Sequence, residues 1–176
     1  MSKMCVLRIN CHTQSATIDT LTLPCRIGKN GYIAQIKGRE GDGKTPLGTY
    51  RMRWGFYRAD RLSPPPQHKD KPLTWRPLQK EDGWCDDINS SAYNRFIKRP
   101  SKESHEALWR EDNAYDLIIV IDHNDSPPLL PLGSAVFIHV AQADDRATLG
   151  CIAFEPEHFV TLLPYLERNM AVEVYA

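Results

Sequence analysis

The first third of the chain alternates apolar and polar residues with the period of half-buried strands. Residues 6–10 read VLRIN and residues 17–23 read TIDTLTL, and both segments alternate in this way. The pair Asn30-Gly31 is a strong signal for the turn of a β-hairpin. Residues 38–53 begin with a glycine-rich loop and continue as a strand that contains Tyr and Met. We therefore expect several short strands joined by tight turns in this part of the chain.

The middle of the chain is more polar and less regular. Residues 63–77 contain five prolines, which fix φ and remove amide donors, so we expect an exposed irregular loop. A linker between two domains is the less favoured alternative, because the residues after it do not resemble a complete domain. Residues 81–112 are polar with scattered aromatic side chains. Within them, residues 101–106 predict the start of a short helix that Ser101 would cap.

The second half returns to apolar runs. Residues 115–122 and 134–141 are nearly continuous apolar segments, which is typical of strands buried on both faces. Residues 151–154 begin a further apolar element. Residues 155–169 place their large apolar side chains on one helical face and predict an amphipathic helix. Residues 171–176 predict a closing strand.

This order of elements predicts the fold class. Strands without a regular strand–helix–strand rhythm favour a mainly β fold with a few short helices, arranged as a sandwich or a barrel-like core. The length of 176 residues is within the usual size of one domain. We therefore expect residues 1–176 to form a single domain.

Charge and composition narrow the function classes. Lys plus Arg and Asp plus Glu balance at 22 each, which argues against nucleic acid or a membrane surface as the main partner. No apolar run approaches the roughly 18 residues of a membrane span. Polar residues such as Arg8, Asn10 and His12 interrupt the N-terminal apolar stretches, so no secretory signal is expected and a cytoplasmic location is predicted.

The five cysteines do not form a recognisable framework. Their number is odd, their spacing is irregular and no C-x-x-C occurs, so neither a disulfide scaffold nor a zinc ribbon is expected. Four of the five are expected to be small buried apolar residues.

The stretch FIHVAQADDRATLGCIAF at 137–154 places His139 and Cys151 twelve positions apart. A cysteine attacks as a thiolate and needs a base or a cation nearby, which His139 on an adjacent strand would supply. The backbone amides of Gly150 and Cys151 would then form an oxyanion hole, and Arg146 would hold a substrate carboxylate. The alternative is that the cysteine and the histidine are core residues and Arg146 is a solvated loop charge.

Further candidate residues have two interpretations each. Trp84, Asp86 and Asp87 form either a substrate wall or a loop that the tryptophan anchors and the aspartates cap. His123 either reaches the site or is a polar residue at a strand end. A metal site built from His123, His139 and Asp122 is a less favoured alternative.

Two separate motifs resemble the YkuD family of L,D-transpeptidase catalytic domains. The first is His139, a polar loop, and then Thr148-Leu149-Gly150-Cys151-Ile152. The second is GDGKTPLGTY at 41–50. The chain also resembles a branch of this family that has no signal peptide and includes cytosolic L,D-carboxypeptidases. The segments that carry this resemblance are DGWCDD at 82–87, YNR at 93–95 and GSAVFIHV at 133–140. The chain departs from the usual family at Val140, where glycine is usual, and at Ala153, where arginine is usual.

The resemblance implies a function and a set of roles. Cys151 would be the acyl-forming nucleophile and His139 its base, on a β-rich fold without metal or organic cofactor. The substrates would be peptidoglycan stem peptides, and carbapenem β-lactams would acylate the thiol. The implied reaction is removal of terminal D-Ala from a stem tetrapeptide by an L,D-carboxypeptidase. The alternatives are an L,D-transpeptidase and a non-catalytic muropeptide binder. Expected substrate contacts come from Arg146, Thr148, Trp84, Asp86, Asp87 and His123.

Overall fold

The computed structural model describes residues 5–176, and strands dominate it. Within these residues the chain forms thirteen strands, one α-helix and two short 3₁₀ helices. The strands are β1 (Val6–Asn10), β2 (Ser15–Ile18), β3 (Leu21–Pro24), β4 (Tyr32–Ala34), β5 (Thr45–Tyr57), β6 (Trp75–Pro77), β7 (Asp82–Cys85), β8 (Phe96–Lys98), β9 (His105–Ala107), β10 (Leu117–Ile121), β11 (Phe137–Val140), β12 (Ile152–Phe154) and β13 (Ala171–Tyr175). The α-helix, α1, is Pro156–Leu162, and the 3₁₀ helices are Gln35–Lys37 and Leu163–Tyr165.

The long strand β5 organises a mixed sheet of ten strands. The sheet runs in the order β12-β11-β10-β5-β13-β1-β2-β3, and β4 and β6 also pair with β5. A bridge between Arg26, which follows β3, and Ala153 in β12 brings the two ends of this order together. The sheet therefore nearly closes on itself, and the prediction of a mainly β, barrel-like fold is confirmed.

Two apolar clusters lie on opposite faces of β10 and β11. Ile119, Ile121, Ile138 and Val140 point into the barrel and pack with side chains from β1, β13 and α1. The alternate residues point outward and pack beneath a separate three-stranded sheet, β8-β7-β9. Both faces of β10 and β11 are covered, which explains why these strands read as continuous apolar runs.

Several turns differ from the predicted ones. The segment 17–23 belongs to a hairpin of β2 and β3, because Asp19 adopts a positive φ of 51° and reverses the chain. The predicted hairpin at Asn30-Gly31 is wrong. A turn is present, with Gly31 at φ 82°, but the strand after this turn, β4, pairs in parallel with β5. Long-range pairing therefore decides the partner of β4.

The helix predicted at 101–106 is also wrong. The hydroxyl of Ser101 bonds locally to Glu103, and the chain then enters β9, which pairs with β7. A six-residue segment gains little from helical hydrogen bonds alone, so strand pairing prevails. The helix predicted at 155–169 is present but shorter. It begins at Pro156 and ends at Leu162, and Pro164 cannot donate the next helical hydrogen bond.

The proline-rich segment has no regular structure before β6, which joins the sheet beside β5.

Four cysteines are buried, namely Cys11, Cys25, Cys85 and Cys151, and Cys5 is half-buried against the core. Among residues 5–176, no helix is long and apolar enough to cross a membrane.

Replacing Ile119 with Ala tests the importance of the barrel core. Ile119 is 0% exposed at the centre of β10, so the change should lower the free energy of unfolding by about 2–5 kcal/mol. Urea denaturation followed by circular dichroism measures this value. The matched control is Val160→Ala on α1, where the side chain is 55% exposed and the effect should stay below about 0.5 kcal/mol. Equal losses at both positions would contradict this placement of the core.

Candidate active site

A cleft of about 590 Å³ lies on the outer side of β11 and β12. Its walls come from the glycine-rich loop at 38–44, the segment 132–136, the turn 146–151 and side chains from β9 and the loop after it. His139 and Cys151 both line this cleft. The structure therefore brings together the two residues that the sequence singled out for chemistry.

The register of a parallel strand pair explains why these two side chains share one face. Ile138 lies opposite Ile152 and His139 lies opposite Ala153. Continued by one residue, this register puts Cys151 opposite Phe137. Side chains alternate between the faces of a sheet, so Phe137, His139 and Cys151 all point outward while Ile138 and Ile152 point into the barrel.

The thiol of Cys151 is buried between two backbone groups. Its Sγ donates to the carbonyl oxygen of Ala135 at 3.2 Å and accepts from the N–H of Phe137 at 3.3 Å. Burial raises the pKa of Cys151 to about 12, and the nearby carboxylate of Glu106 acts in the same direction. The thiol is therefore protonated in the resting protein at neutral pH.

The ring of His139 has a fixed tautomer. Its Nδ1 lies 2.8 Å from the carbonyl oxygen of Val140, which can only accept, so Nδ1 carries the proton and Nε2 has the lone pair. The ring of Tyr115 packs edge-on against it, with centroids 5.3 Å apart and planes at 81°. Burial lowers the pKa of His139 to about 4. The resting imidazole is therefore neutral and has one basic nitrogen.

The turn before Cys151 is held by Thr148. The Thr148 hydroxyl donates to the carbonyl of Cys151 at 2.6 Å and accepts from the N–H of Gly150 at 3.1 Å. Gly150 has φ +138°, and a Cβ there would lie 2.9 Å from the carbonyl oxygen of Lys44, so a larger residue would not fit. The amide of Gly150, one of the two that were predicted to form an oxyanion hole, therefore already donates a hydrogen bond within the turn.

The glycine-rich loop braces this turn from the other side. Asp42 accepts hydrogen bonds from the N–H groups of Arg39 and Lys44 at 2.9 and 2.8 Å, which fixes the shape of the loop. The buried hydroxyl of Thr45 accepts from the N–H of Gly28 and donates to the carbonyl of Gly150, both at 2.9 Å. The two distant sequence motifs therefore meet directly beside Cys151.

Asn94 is a buried connector that sequence reasoning did not single out as functional. Its Oδ1 accepts from the indole N–H of Trp84 at 2.9 Å and from the N–H of Ala135 at 3.2 Å. Its Nδ2 donates to the carbonyls of His123 and Asn124 at 3.0 and 2.7 Å. Ala135 has a strained φ of 51° and supplies the carbonyl that holds the thiol. The tyrosine–asparagine pair at 93–94 was the only sequence signal for this role.

Comparison with known protein families gives a match over nearly the whole chain. Residues 14–174 match the family described as YkuD, the L,D-transpeptidase catalytic domain. The chain belongs to this family. Its members are cysteine-dependent acyltransferases that modify peptidoglycan. The comparison with curated proteins gives no significant match.

Solved structures similar to this YkuD domain include Bd1075 from Bdellovibrio bacteriovorus. It is 12% identical at a TM-score of 0.50, over 97% of this chain and 47% of that one. L,D-transpeptidase 1 from Mycobacterium tuberculosis is 11% identical at a TM-score of 0.44, over 98% of this chain and 62% of that one. The domain thus spans roughly half to three-fifths of these proteins. At such low identity, the similarity to Bd1075 supports the fold alone.

A second network borders the cleft beside His139. The hydroxyl of Tyr115 donates to the carboxylate of Glu106, and the guanidinium of Arg110 lies 5.3 Å from the centre of the Tyr115 ring. Asp112 binds Arg110 through two hydrogen bonds. Sequence reasoning missed all four residues. Glu106, Arg110 and Asp112 stand in a polar segment without a recognisable motif, and Tyr115 begins an apolar run that indicated only a buried strand.

Two of the expected substrate-contacting residues lie outside the cleft. Trp84 packs edge-on against Phe137, with ring centroids 5.0 Å apart, and borders a smaller cavity of about 220 Å³ behind the site. Asp87 caps a turn by accepting the N–H of Asn89 at 2.9 Å. The structure therefore corrects these two expectations. Trp84 supports the cleft from behind, and Asp87 matches the alternative interpretation as a cap.

The remaining expected contacts do line the cleft. Thr148 and Asp86 lie on its walls, and the buried Oδ1 of Asp86 makes no hydrogen bond within residues 5–176. Arg146 lies on the rim with its side chain 64% exposed, paired with Asp144. His123 is 3% exposed at the cleft border, and its ring nitrogens find no hydrogen-bond partner in the described chain. Burial lowers the pKa of His123 to about 4.

The alternative of a metal site finds no support in the geometry. Asp122 accepts the backbone N–H of Arg51 at 2.6 Å and does not line the cleft. In the part of the chain that the structure describes, no group of three or more His, Cys, Asp or Glu residues is arranged to hold a metal ion.

Replacing Asn94 with Ala tests the buried connector. The change leaves four buried polar groups without their partner, so the free energy of unfolding should fall by about 3 kcal/mol. Urea denaturation measures the loss. Asn89→Ala, at an exposed turn position, is the matched control and should change stability by less than about 0.5 kcal/mol. A near-neutral Asn94→Ala would show that Asn94 does not support this network.

The two buried histidines predict how stability depends on pH. Their pKa values of about 4 in the folded protein lie below the ordinary 6.5 of the unfolded chain, so the unfolded state binds more protons between these values. Their stabilising contribution is complete above pH 6.5 and is lost as pH falls towards 4, by roughly 1.4 kcal/mol per pH unit for each residue. Urea denaturation at a series of pH values should show this slope, and His123→Phe should reduce it by about half. An unchanged slope in that variant would contradict a neutral buried His123.

Proposed function

We propose that this YkuD domain cleaves the L,D peptide bond before the terminal D-Ala of a peptidoglycan stem tetrapeptide. The reaction passes through a thioester on Cys151, and water is the final acceptor. The observation that carries the proposal is the placement of Cys151 and His139 on one face of two paired strands, at the base of a single cleft. Family membership supports the type of chemistry.

The first step starts from a neutral pair. The thiol leaves the Ala135 carbonyl and gives its proton to Nε2 of His139 as sulfur attacks the carbonyl carbon of the third stem residue. Proton transfer accompanies attack because burial disfavours a separate thiolate and imidazolium. The N–H of Phe137 stays bonded to sulfur and stabilises the negative charge that develops there.

The next steps complete the cycle. The imidazolium of His139 donates its proton to the nitrogen of D-Ala, the C–N bond breaks, and D-Ala leaves. The neutral His139 then removes a proton from water as the water oxygen attacks the thioester carbonyl. The C–S bond breaks, sulfur recovers the proton, and the tripeptide leaves with a new terminal carboxylate. The amide of Cys151 is the oxyanion donor that this geometry favours, since the amide of Gly150 already bonds to Thr148.

The size of the cleft supports water as the acceptor. A volume of about 590 Å³ is typical of a pocket for one small ligand, which suits one stem peptide. Water needs no second peptide groove. A cytoplasmic setting, in which recycled muropeptides would be the substrates, stays a prediction from the sequence.

L,D-transpeptidation is the second candidate function. The observation that favours it is Leu149, which is 75% exposed at the mouth of the cleft, directly before Gly150 and Cys151. An exposed apolar side chain beside the proposed nucleophile offers a contact for an acceptor amine such as a D-amino acid or a second stem peptide.

The decisive experiment incubates a muramoyl tetrapeptide with the protein and free D-methionine and identifies the products by mass spectrometry. We expect the tripeptide as the main product, and a loss of at least about 10³-fold in rate for Cys151→Ala, since the nucleophile is removed. A tetrapeptide that carries D-methionine as the main product would instead establish transpeptidation.

A carbapenem provides the control for a non-catalytic binder. A competent thiol should gain the mass of the opened β-lactam, and Cys151→Ala should not. A folded protein that forms neither a product nor this adduct, yet binds the tetrapeptide, would overturn the enzymatic proposal in favour of a muropeptide binder.

A further inference from the structure

We propose that Arg110 binds the terminal carboxylate of the substrate, next to the bond that is cleaved, and that Asp112 positions it. This inference rests on the proposed function and deepens it, because it assigns the group that selects peptides with a free C-terminus. It concerns a residue that no sequence motif marks.

Arg110 is held in one orientation. Asp112 accepts from its Nε at 2.9 Å and from its Nη2 at 2.6 Å, which is a side-on bidentate pair. Asp112 is itself fixed by the N–H of Ala114 at 3.1 Å and by the side-chain amide of Gln142 at 2.7 Å. The guanidinium lowers the pKa of Asp112 to about 2, so this carboxylate stays charged at neutral pH.

The side-on pair leaves one edge of the guanidinium available. Nη1 of Arg110 makes no hydrogen bond to any residue in the range 5–176, and one N–H of Nη2 is also unused. These donors form the end-on edge, which matches the two oxygens of a carboxylate. The Arg110 side chain is 35% exposed, and the residue lines the cleft, so a ligand can reach this edge.

The position of Arg110 suits a carboxylate close to the reacting atoms. Its guanidinium lies 5.3 Å from the centre of the Tyr115 ring, which is 5.3 Å from the centre of the His139 ring. Its positive charge also helps to lower the pKa of His139. In a terminal D-Ala, one residue length of roughly 3.5 Å separates the scissile amide from the carboxylate. A receptor for that carboxylate must therefore lie near the base, and Arg110 and His139 both line the cleft and both contact the ring of Tyr115.

The other cations of the described cleft are less suited to this role. Arg146 is 64% exposed and pairs with Asp144 in its own loop. Arg39 is exposed on the glycine-rich loop, and Lys44 offers a point charge without a planar pair of donors. A fixed guanidinium loses less conformational entropy on binding than a solvated side chain does.

Four acidic residues line the described cleft and oppose an anionic ligand, namely Glu40, Asp42, Asp86 and Glu106. Glu106 accepts the hydroxyl of Tyr115, and burial raises the pKa of Glu106, which favours its neutral form. The charges of Asp86 and Glu40 also raise the pKa of Glu106. Glu40 accepts the hydroxyl of Tyr93, and Asp42 is occupied by two backbone N–H groups of its own loop. Against these acidic groups, Arg110 supplies a positive charge that acts on His139.

The test compares two substrates in each of several variants. One is the stem tetrapeptide with a free carboxylate, and the other is the same peptide with a C-terminal amide. For the unmodified protein we expect kcat/KM to be about 30-fold higher for the acid. Arg110→Gln and Arg110→Ala should lose most of the activity on the acid and change that on the amide by less than about threefold. Arg110→Lys should keep part of the preference, since it keeps the charge but not the planar fork.

Arg146→Ala is the matched control and should retain the preference for the acid. Loss of the preference in this variant, but not in Arg110→Gln, would move the receptor to the rim. Equal losses on acid and amide in the Arg110 variants would show a merely structural role and overturn the proposal. Circular dichroism and urea denaturation identify variants that do not fold, and the Gln and Lys substitutions guard against that outcome.

A binding measurement separates this proposal from the proposed function. In a Cys151→Ala background, isothermal titration calorimetry gives the Kd of the acid and the amide without turnover. We expect tighter binding of the acid, by about 30-fold, and loss of this difference on Arg110→Gln. If the unmodified protein cleaves neither peptide but shows this pattern, the proposed function fails while Arg110 remains a carboxylate receptor. If cleavage occurs and acid and amide bind equally, only the Arg110 proposal fails.

Discussion

The parallel pairing of β11 with β12 is the constraint on which the proposed chemistry depends. Its register places His139 and Cys151 on the outer face and gives the inner face to Ile138 and Ile152. A slip of one residue would turn the thiol and the imidazole into the barrel and expose the core side chains. Packing therefore specifies the register, because the isoleucines are fully buried. The stability of the barrel and the position of the reactive pair are fixed by the same contacts.

Burial of the pair has a chemical consequence. A layer formed by the small sheet β8-β7-β9 covers the outer face beside Phe137, and this layer takes the thiol and the imidazole out of water. Desolvation penalises the thiolate and the imidazolium together, so the resting pair is neutral. In the proposed reaction, the reactivity of the thiol then depends on the bound substrate. The negative charge that develops on the substrate carbonyl and the contacts between substrate and cleft stabilise the imidazolium in place of the excluded water. An idle thiol protected in this way is also less exposed to oxidation.

The local pattern of the sequence predicted the strands at 6–10, 115–122 and 134–141, because alternation and apolar runs report burial directly. It also predicted that His139 and Cys151 lie at neighbouring strands. It failed where distant parts of the chain decide the outcome. The segment 101–106 has the composition of a helix start, but pairing with β7 makes residues 105–107 a strand. The sequence suggested Trp84 as part of a substrate wall, but its indole N–H donates to Asn94 behind the site. The cleft position of Arg110 depends on how β9 and β10 are placed, which no short motif encodes.

The departure of this chain from the usual family pattern at Ala153 has a physical interpretation. Ala153 lies opposite His139 in the strand pair, is 1% exposed, and bridges to the backbone of Arg26 at the closure of the barrel. An arginine at this position would have to leave the covered face to find solvent or a ligand. A cation on a loop at the wall of the cleft needs no such displacement, because it reaches the site from outside the sheet. An aspartate in the same loop can also hold it in place. Arg110, bound side-on by Asp112 and packed on Tyr115, meets these requirements. The loss of one arginine next to Cys151 is therefore compatible with recognition of an anionic substrate.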